Sequence, residues 1–191
     1  GAGIDVKDDN GRTALMVASE WGHVGVVKAL LSAGADKDET DNDGCTALMV
    51  ASGWGKIDVV RALIGAGSNK DLKDKKYGFT SLILASEKGH LEIVEALLKK
   101  GAKGADKDLK NNHGCTALYY ASAEGHLGVT KALIAAGAKD LQNKHGRTAL
   151  MLASENGHVE VVKALIEAGA EKEAKGNDGS TALMIAIRKG N

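Results

Sequence analysis

One five-residue phrase, Gly-x-Thr-(Ala/Ser)-Leu, returns along the chain and limits what it can become. It reads Gly11-Arg12-Thr13-Ala14-Leu15, Gly44-Cys45-Thr46-Ala47-Leu48 and Gly78-Phe79-Thr80-Ser81-Leu82. It reads again as Gly114-Cys115-Thr116-Ala117-Leu118, Gly146-Arg147-Thr148-Ala149-Leu150 and Gly179-Ser180-Thr181-Ala182-Leu183. The threonines step by 33, 34, 36, 32 and 33 residues. Self-similarity at that period describes a solenoid, in which each unit buries its apolar face only against the next.

The stretch Gly146–Ala170 shows what one unit contains. Thr148 caps a short helical pattern through Ala149, Leu150, Met151, Leu152 and Ala153, and Gly157 stops it. A second pattern starts near His158 and puts Val159, Val162, Leu165 and Ile166 on one face. Gly169 follows where a helix needs a left-handed closing residue. Neither helix is long enough to stand alone in water, so each needs a neighbour.

These residues resemble an ankyrin repeat, whose pattern is roughly T-P-L-H-x-A-A, then G-H, V-V-x-x-L-L and G-A-D. The match in this copy is Thr148, Leu150, Ala153, Gly157, His158, Val161, Val162, Leu165, Ile166, Gly169 and Ala170. The resemblance implies an all-α solenoid with β-hairpin fingers between helix pairs. It gives one array over residues 1–191, with about five full repeats and partial repeats at both ends. The cores fall near 11–35, 44–68, 78–102, 114–138 and 146–170, with a partial one at 179–191.

Two departures from the pattern are systematic. The family's proline is Ala14, Ala47, Ser81, Ala117, Ala149 and Ala182, a small loss because alanine is the best helix former. Its histidine is Met16, Met49, Ile83, Tyr119, Met151 and Met184, which predicts tighter packing between repeats.

The fingers vary in length. Gly34–Gly44 and Gly169–Gly179 take ten residues, Gly67–Gly78 eleven, Gly137–Gly146 nine and Gly101–Gly114 thirteen. The longest partly duplicates Gly101-Ala102-Lys103 as Gly104-Ala105-Asp106, which is either a binding-side insertion or drift in a tolerant loop. Gly1-Ala2 reads as the tail of a preceding repeat, and Ile187–Asn191 stops where a second helix would begin. Neither end is rewritten as a polar cap, so the expectation is a fragment of a longer protein or of a larger complex.

Composition excludes more than it assigns. Lys+Arg and Asp+Glu are both 25, so no basic field points to nucleic acid. No apolar run reaches membrane-span length. Cys45 and Cys115 sit in copies two repeats apart, about 20 Å at ordinary helix spacing, beyond disulfide reach. Free thiols fit an intracellular, cytoplasmic setting, with an organelle left open.

No catalytic constellation or cofactor is expected. His23, His90, His126 and His158 belong to the Gly-His step between helices. His113 and His145, with Cys115 nearby, have no evident fourth ligand for zinc. No glycine run has the strand-loop-helix setting of a phosphate loop. Ser19, Ser52, Ser86, Ser122 and Ser154 take the place of the family's second helix alanine and belong to packing.

What remains is surface. Trp21 and Trp54 fall just before the glycine that ends the first helix in adjacent repeats, and Tyr77 and Phe79 flank Gly78 at the base of the next finger. In the family these places line the concave groove, and exposed Trp and Tyr anchor protein interfaces. Tyr119 and Tyr120 read as core. Arg12, Glu20, Asn42, Asp43, Lys76 and Lys88 stand beside the aromatics and complete the candidate protein-binding set. Residues 1–44 carry nine acids against four bases and residues 68–110 ten bases against seven acids, a pattern that steers a partner of mixed charge or is only a solvated face. Two functions fit: a non-enzymatic module that holds a protein partner in the groove, or a structural segment that contacts its neighbours through its ends or convex side.

Overall fold

The computed structural model describes residues 3–99 and 104–191. Gly1-Ala2 and the finger insertion at Gly101-Ala102-Lys103 lie outside the described residues. The helices alternate along the chain as short pairs. First helices are α1 (Ala14–Trp21), α3 (Ala47–Gly53), α5 (Ser81–Glu87), α7 (Ala117–Ala123), α9 (Ala149–Glu155) and α11 (Ala182–Lys189). Second helices are α2 (Val24–Ser32), α4 (Ile57–Gly65), α6 (Leu91–Leu98), α8 (Leu127–Ala135) and α10 (Val159–Glu167). Each first helix packs on the next first helix, each second helix on the next second helix, and the two within a pair on each other. A first helix and the second helix after it form one layer.

Every first helix starts on its threonine. Thr13, Thr46, Thr80, Thr116, Thr148 and Thr181 are extended, and each Oγ1 accepts from the amide three residues on, at 3.2–3.4 Å. Each such cap is worth about 0.5–2 kcal/mol. Leu15, Leu48, Leu82, Leu118 and Leu150 then enter the core at 2% exposure or less. Met16, Met49, Ile83 and Met151, which replace the family's histidine, are equally buried and pack the layers together. On α11 the pattern opens, and Leu183, Met184 and Ile187 stand 53–69% exposed.

The expected β-hairpin fingers are not found among the described residues. Among the described residues there is no strand. Each finger closes on a tight turn, as where Asp41 N donates to Cys45 O and Gly44 N to Asp41 O, both at 3.0 Å. The amides a hairpin would send across to a second strand are taken by a side chain at the turn's start. Asp74 accepts from the amides of Tyr77, Gly78 and Phe79, and Asn111 Oδ1 and Asn143 Oδ1 do the same two and four residues on. Local Asx bonding displaces the ladder.

Consecutive fingers instead share one backbone bond per junction. Asn42 N donates to Asn10 O, Lys75 N to Asp43 O, Asn112 N to Tyr77 O, Lys144 N to His113 O and Asn177 N to His145 O, at 2.8–3.1 Å. Glycine permits the approach. A Cβ on Gly11, at φ +76°, would lie 2.7 Å from the Asn42 amide nitrogen.

At the finger stems a second series runs from carboxylate to amide. Asp5, Asp38, Asp71 and Asp108 accept from the amides of Asp36, Asn69, Asp106 and Lys139, at 2.8–3.1 Å. The series stops at the nine-residue finger. With one residue fewer there, Asp140 turns to α9 and accepts from the amides of Ala149 at 2.6 Å and Leu150 at 3.3 Å. Burial pushes its carboxyl above the ordinary value. A cavity of about 290 Å³ lies beside it, floored by Leu118, Ile134 and Leu165.

Candidate interaction surface

The surface singled out by the sequence lies where a finger base meets the end of its own first helix. The residue before the capping threonine reaches the residue eight positions on, which the structure shows three times. Arg12 Nη1 lies 3.4 Å from Glu20 Oε2, Arg147 pairs with Glu155, and Arg188 Nη2 donates to Ser180 Oγ at 3.0 Å. Arg12 also holds Asp8, Nε to Oδ2 at 3.0 Å, so its charge is shared between two carboxylates. The Arg12 backbone amide and guanidinium hold the Asp8 carboxyl below its ordinary value.

Trp21 and Trp54 stand on this surface with 67% and 62% of their area exposed. Trp21 is the last residue of α1, and Trp54 caps α3 with its amide on the Val50 carbonyl. The equivalent position on α5 is Lys88, exposed, its Nζ 3.6 Å from Glu87. Asn42 holds the finger tips together, donating through Nδ2 to Asp9 O at 3.2 Å as well as through its amide. The exposed carboxylates of Asp9 and Asp43 make no hydrogen bond or ion pair with the described residues.

Tyr77 and Phe79 belong to a longer aromatic band. Lys76 Nζ sits 5.0 Å from the centroid of the exposed Tyr77 ring, within cation–π range. Tyr77 meets Phe79 at 5.7 Å, Phe79 meets Tyr120 edge-on at 5.3 Å, and Tyr120 meets Tyr119 edge-on at 5.6 Å. The expectation that Tyr119 and Tyr120 are core residues is corrected here. Both are half-buried, and their hydroxyls accept from Asn143 Nδ2 at 3.2 Å and Asn111 Nδ2 at 2.9 Å. The signal was present in the finger stems. Asp8, Asp41 and Asp74 become Asn111 and Asn143 beside the tyrosines, and an amide can donate to a phenol where a carboxylate cannot. Burial pushes both phenols up to about 12.

The Gly-His step props the helix end from the next layer. His90, His126 and His158 place Nε2 3.2, 3.0 and 3.0 Å from the carbonyls of Gly53, Glu87 and Ala123. Each ring therefore presents Nε2–H to a carbonyl that the preceding first helix leaves unpaired. A Cβ on Gly125 would lie 2.7 Å from the His158 ring. Asn191 takes the same role after α11, donating to Ser154 O at 3.0 Å and Glu155 O at 2.8 Å.

The thiols are poorly suited to act as nucleophiles. Burial first, and then Asp41, Asp74 and Asp43, push Cys45 up to about 11, and burial raises Cys115. His113 and His145 are exposed finger residues, and among the described residues no group of three His, Cys, Asp or Glu side chains is placed to hold a metal ion. No described helix is long and apolar enough to cross a membrane.

The repeated caps, the stacked pairs and the single-bond fingers agree with a comparison of the sequence with protein families. The model described as ankyrin repeats (3 copies) matches residues 1–74, 55–139 and 128–191. The chain belongs to the ankyrin repeat family. No curated protein matches it. Ankyrin repeats are generally protein–protein interaction modules and typically carry no catalysis, so the family implies a protein partner for this chain.

Proposed function

We propose that residues 1–191 form one ankyrin array of five two-helix repeats with partial repeats at both ends. We propose further that it works without catalysis, holding a protein partner in the groove between its fingers and first helices. The contact residues are Trp21, Trp54, Tyr77 and Phe79, with Arg12, Glu20, Asn42, Asp43, Lys76 and Lys88 around them. The observation that carries the reading is the exposure of Trp21 and Trp54, at 67% and 62%, in a molecule whose core is otherwise built of small aliphatic side chains. The compartment we propose is intracellular.

The test is retention of a partner by the immobilised array from a lysate, compared with a Trp21→Ala/Trp54→Ala array. Loss of the bands in the double variant is expected. Equal retention by both overturns the groove as placed. A second reading is a structural segment that contacts its neighbours through its ends or convex side, Leu183 and Ile187 on α11 among them. In that case a Leu183→Glu/Ile187→Glu variant loses the partner and the tryptophan variant keeps it.

A further inference from the structure

The nine-residue finger is the place where a stem carboxylate leaves its seam. In the other fingers that carboxylate stands two residues past the amide that receives the preceding one, as Asp38 after Asp36, Asp71 after Asn69 and Asp108 after Asp106. Asp140 stands only one residue past Lys139 and bonds α9 instead. The Glu171 amide, next in the series, is left without an acceptor among the described residues. The cavity of about 290 Å³ has Asp140 in its wall over the floor of Leu118, Ile134 and Leu165, and Lys139 and Glu171 line it as well. Each oxygen of Asp140 accepts one backbone amide, and the side chain makes no ion pair with the described residues. Burial raises its carboxyl, and the Ala149 and Leu150 amides and the Thr148 hydroxyl lower it. No charged side chain takes part, although Lys139 lines the same cavity. The exposed charges nearby have both signs, Lys139, Lys172 and Lys175 with Glu171 and Glu173, so the outer surface favours neither. The selection comes from inside, where an apolar wall ends on a carboxylate with no counter-charge. An aliphatic stem with a cationic end matches both parts.

We infer that this cavity takes a lysine side chain from a protein segment, at a site separate from the groove. The stem lies on Leu118, Ile134 and Leu165, the ammonium meets Asp140, and the Glu171 amide donates to a main-chain carbonyl of the segment. Lysine suits the carboxylate better than arginine. The two oxygens of Asp140 are already turned to separate amides, at 2.6 and 3.3 Å. A point-like ammonium needs only one of them, whereas a planar guanidinium uses both. The Glu171 amide makes the occupant a protein segment and not a free amine, because only a peptide brings the carbonyl.

Methyl NMR of the whole chain reads the floor of the cavity through Leu118, Ile134 and Leu165. The probes are the blocked peptide Gly-Ser-Lys-Ser-Gly, its version with norleucine in place of lysine, and n-butylammonium. The lysine peptide should shift those methyls in a saturable way and bind at least about tenfold more tightly than the norleucine peptide, which keeps the stem and loses the charge. n-Butylammonium, without a carbonyl, should bind at least about threefold more weakly than the lysine peptide. Asp140→Asn, with unchanged circular dichroism, should bring the lysine peptide down to the norleucine level. Ala168→Phe, on the exposed rim of the cavity, should block the peptide while leaving the carboxylate in place, and it decides the matter should Asp140→Asn fail to fold. Norleucine binding as tightly as lysine, or no shift with either peptide, overturns the cationic site. n-Butylammonium binding as tightly as the peptide overturns the protein segment, and lysine binding unchanged in either folded variant overturns the placement. All of these outcomes leave the tryptophan groove to the alanine pull-down above.

Discussion

The same surface is built two ways at its two ends. In layers 1 and 2 an arginine–glutamate brace, Arg12 to Glu20, lies beside indoles that contact little. In layer 5 the equivalent brace, Arg147 to Glu155, is reinforced by Lys189 at 3.3 Å. Asn156, in the place of the tryptophans, donates to Ala123 O at 2.7 Å. At one end the side chains at helix termini satisfy each other. At the other they are left free, and the difference separates residues that hold layers together from residues available to another molecule.

Three measurements sharpen that contrast. The largest effect belongs to the glycines on which fingers rest. Gly11→Ala adds both a left-handed strain of about 1–2 kcal/mol and a clash with the neighbouring finger. At Gly179, φ +75° with open space around it, alanine brings the strain alone. Urea unfolding should show Gly11→Ala to be the more destabilising by at least about 1 kcal/mol. Equal losses would mean that the finger junctions yield without cost.

Next come two carboxylates with opposite signs. The Arg147 hydrogen bond holds Glu155 below its ordinary value, so its stabilisation is present at neutral pH and is lost as pH falls through the lowered folded value. Asp140 is raised by burial, so its charge is a burden at neutral pH that protonation relieves as pH falls through the raised value toward the ordinary aspartate value. Against their own Gln and Asn variants, wild type should lose advantage on acidification at Glu155 and gain it at Asp140. The Glu155 pair is partly exposed, so its effect stays under about 1 kcal/mol. Two slopes of one sign in a stability-against-pH series would reject this assignment.

The smallest effect on folding should separate Trp54 from Asn156. Trp54→Ala should leave stability within about 0.5 kcal/mol, as a surface substitution away from packing does. Asn156→Ala, which removes a hydrogen bond, should cost up to about 1 kcal/mol. Thermal unfolding of both variants checks the order.

The repeating parts of this structure were legible because periodicity repeats the same physical problem. Each threonine must cap a helix too short to stand alone, and each Leu15-type residue must find the next layer. The fingers differ from the expected hairpins because Asp74, Asn111 and Asn143 bond their own turn amides and leave a single backbone bond across each turn, too little for a ladder. Tyr119 and Tyr120 were placed in the core from their helical register. Tyr119 takes the place of the buried Met16, Met49 and Met151, but its hydroxyl reaches Asn143 and the ring stays half-buried, and Tyr120 stands where Val17, Val50 and Leu152 are half-buried in the other copies. Asp140 was hidden for another reason. A one-residue shortening shows only as a length, and where the displaced carboxylate goes depends on which free amides lie within reach.

The ledges under the fingers reach beyond any single layer. Each one receives the main chain of the finger that follows, a group every sequence supplies, so the seam between layers does not depend on which side chains meet there. Copying or excising one whole layer would leave every seam fitted, and the steps of 32 to 36 residues found here all keep the same joint. A molecule joined in this way can lengthen, shorten or trade its recognition residues while keeping the same joint.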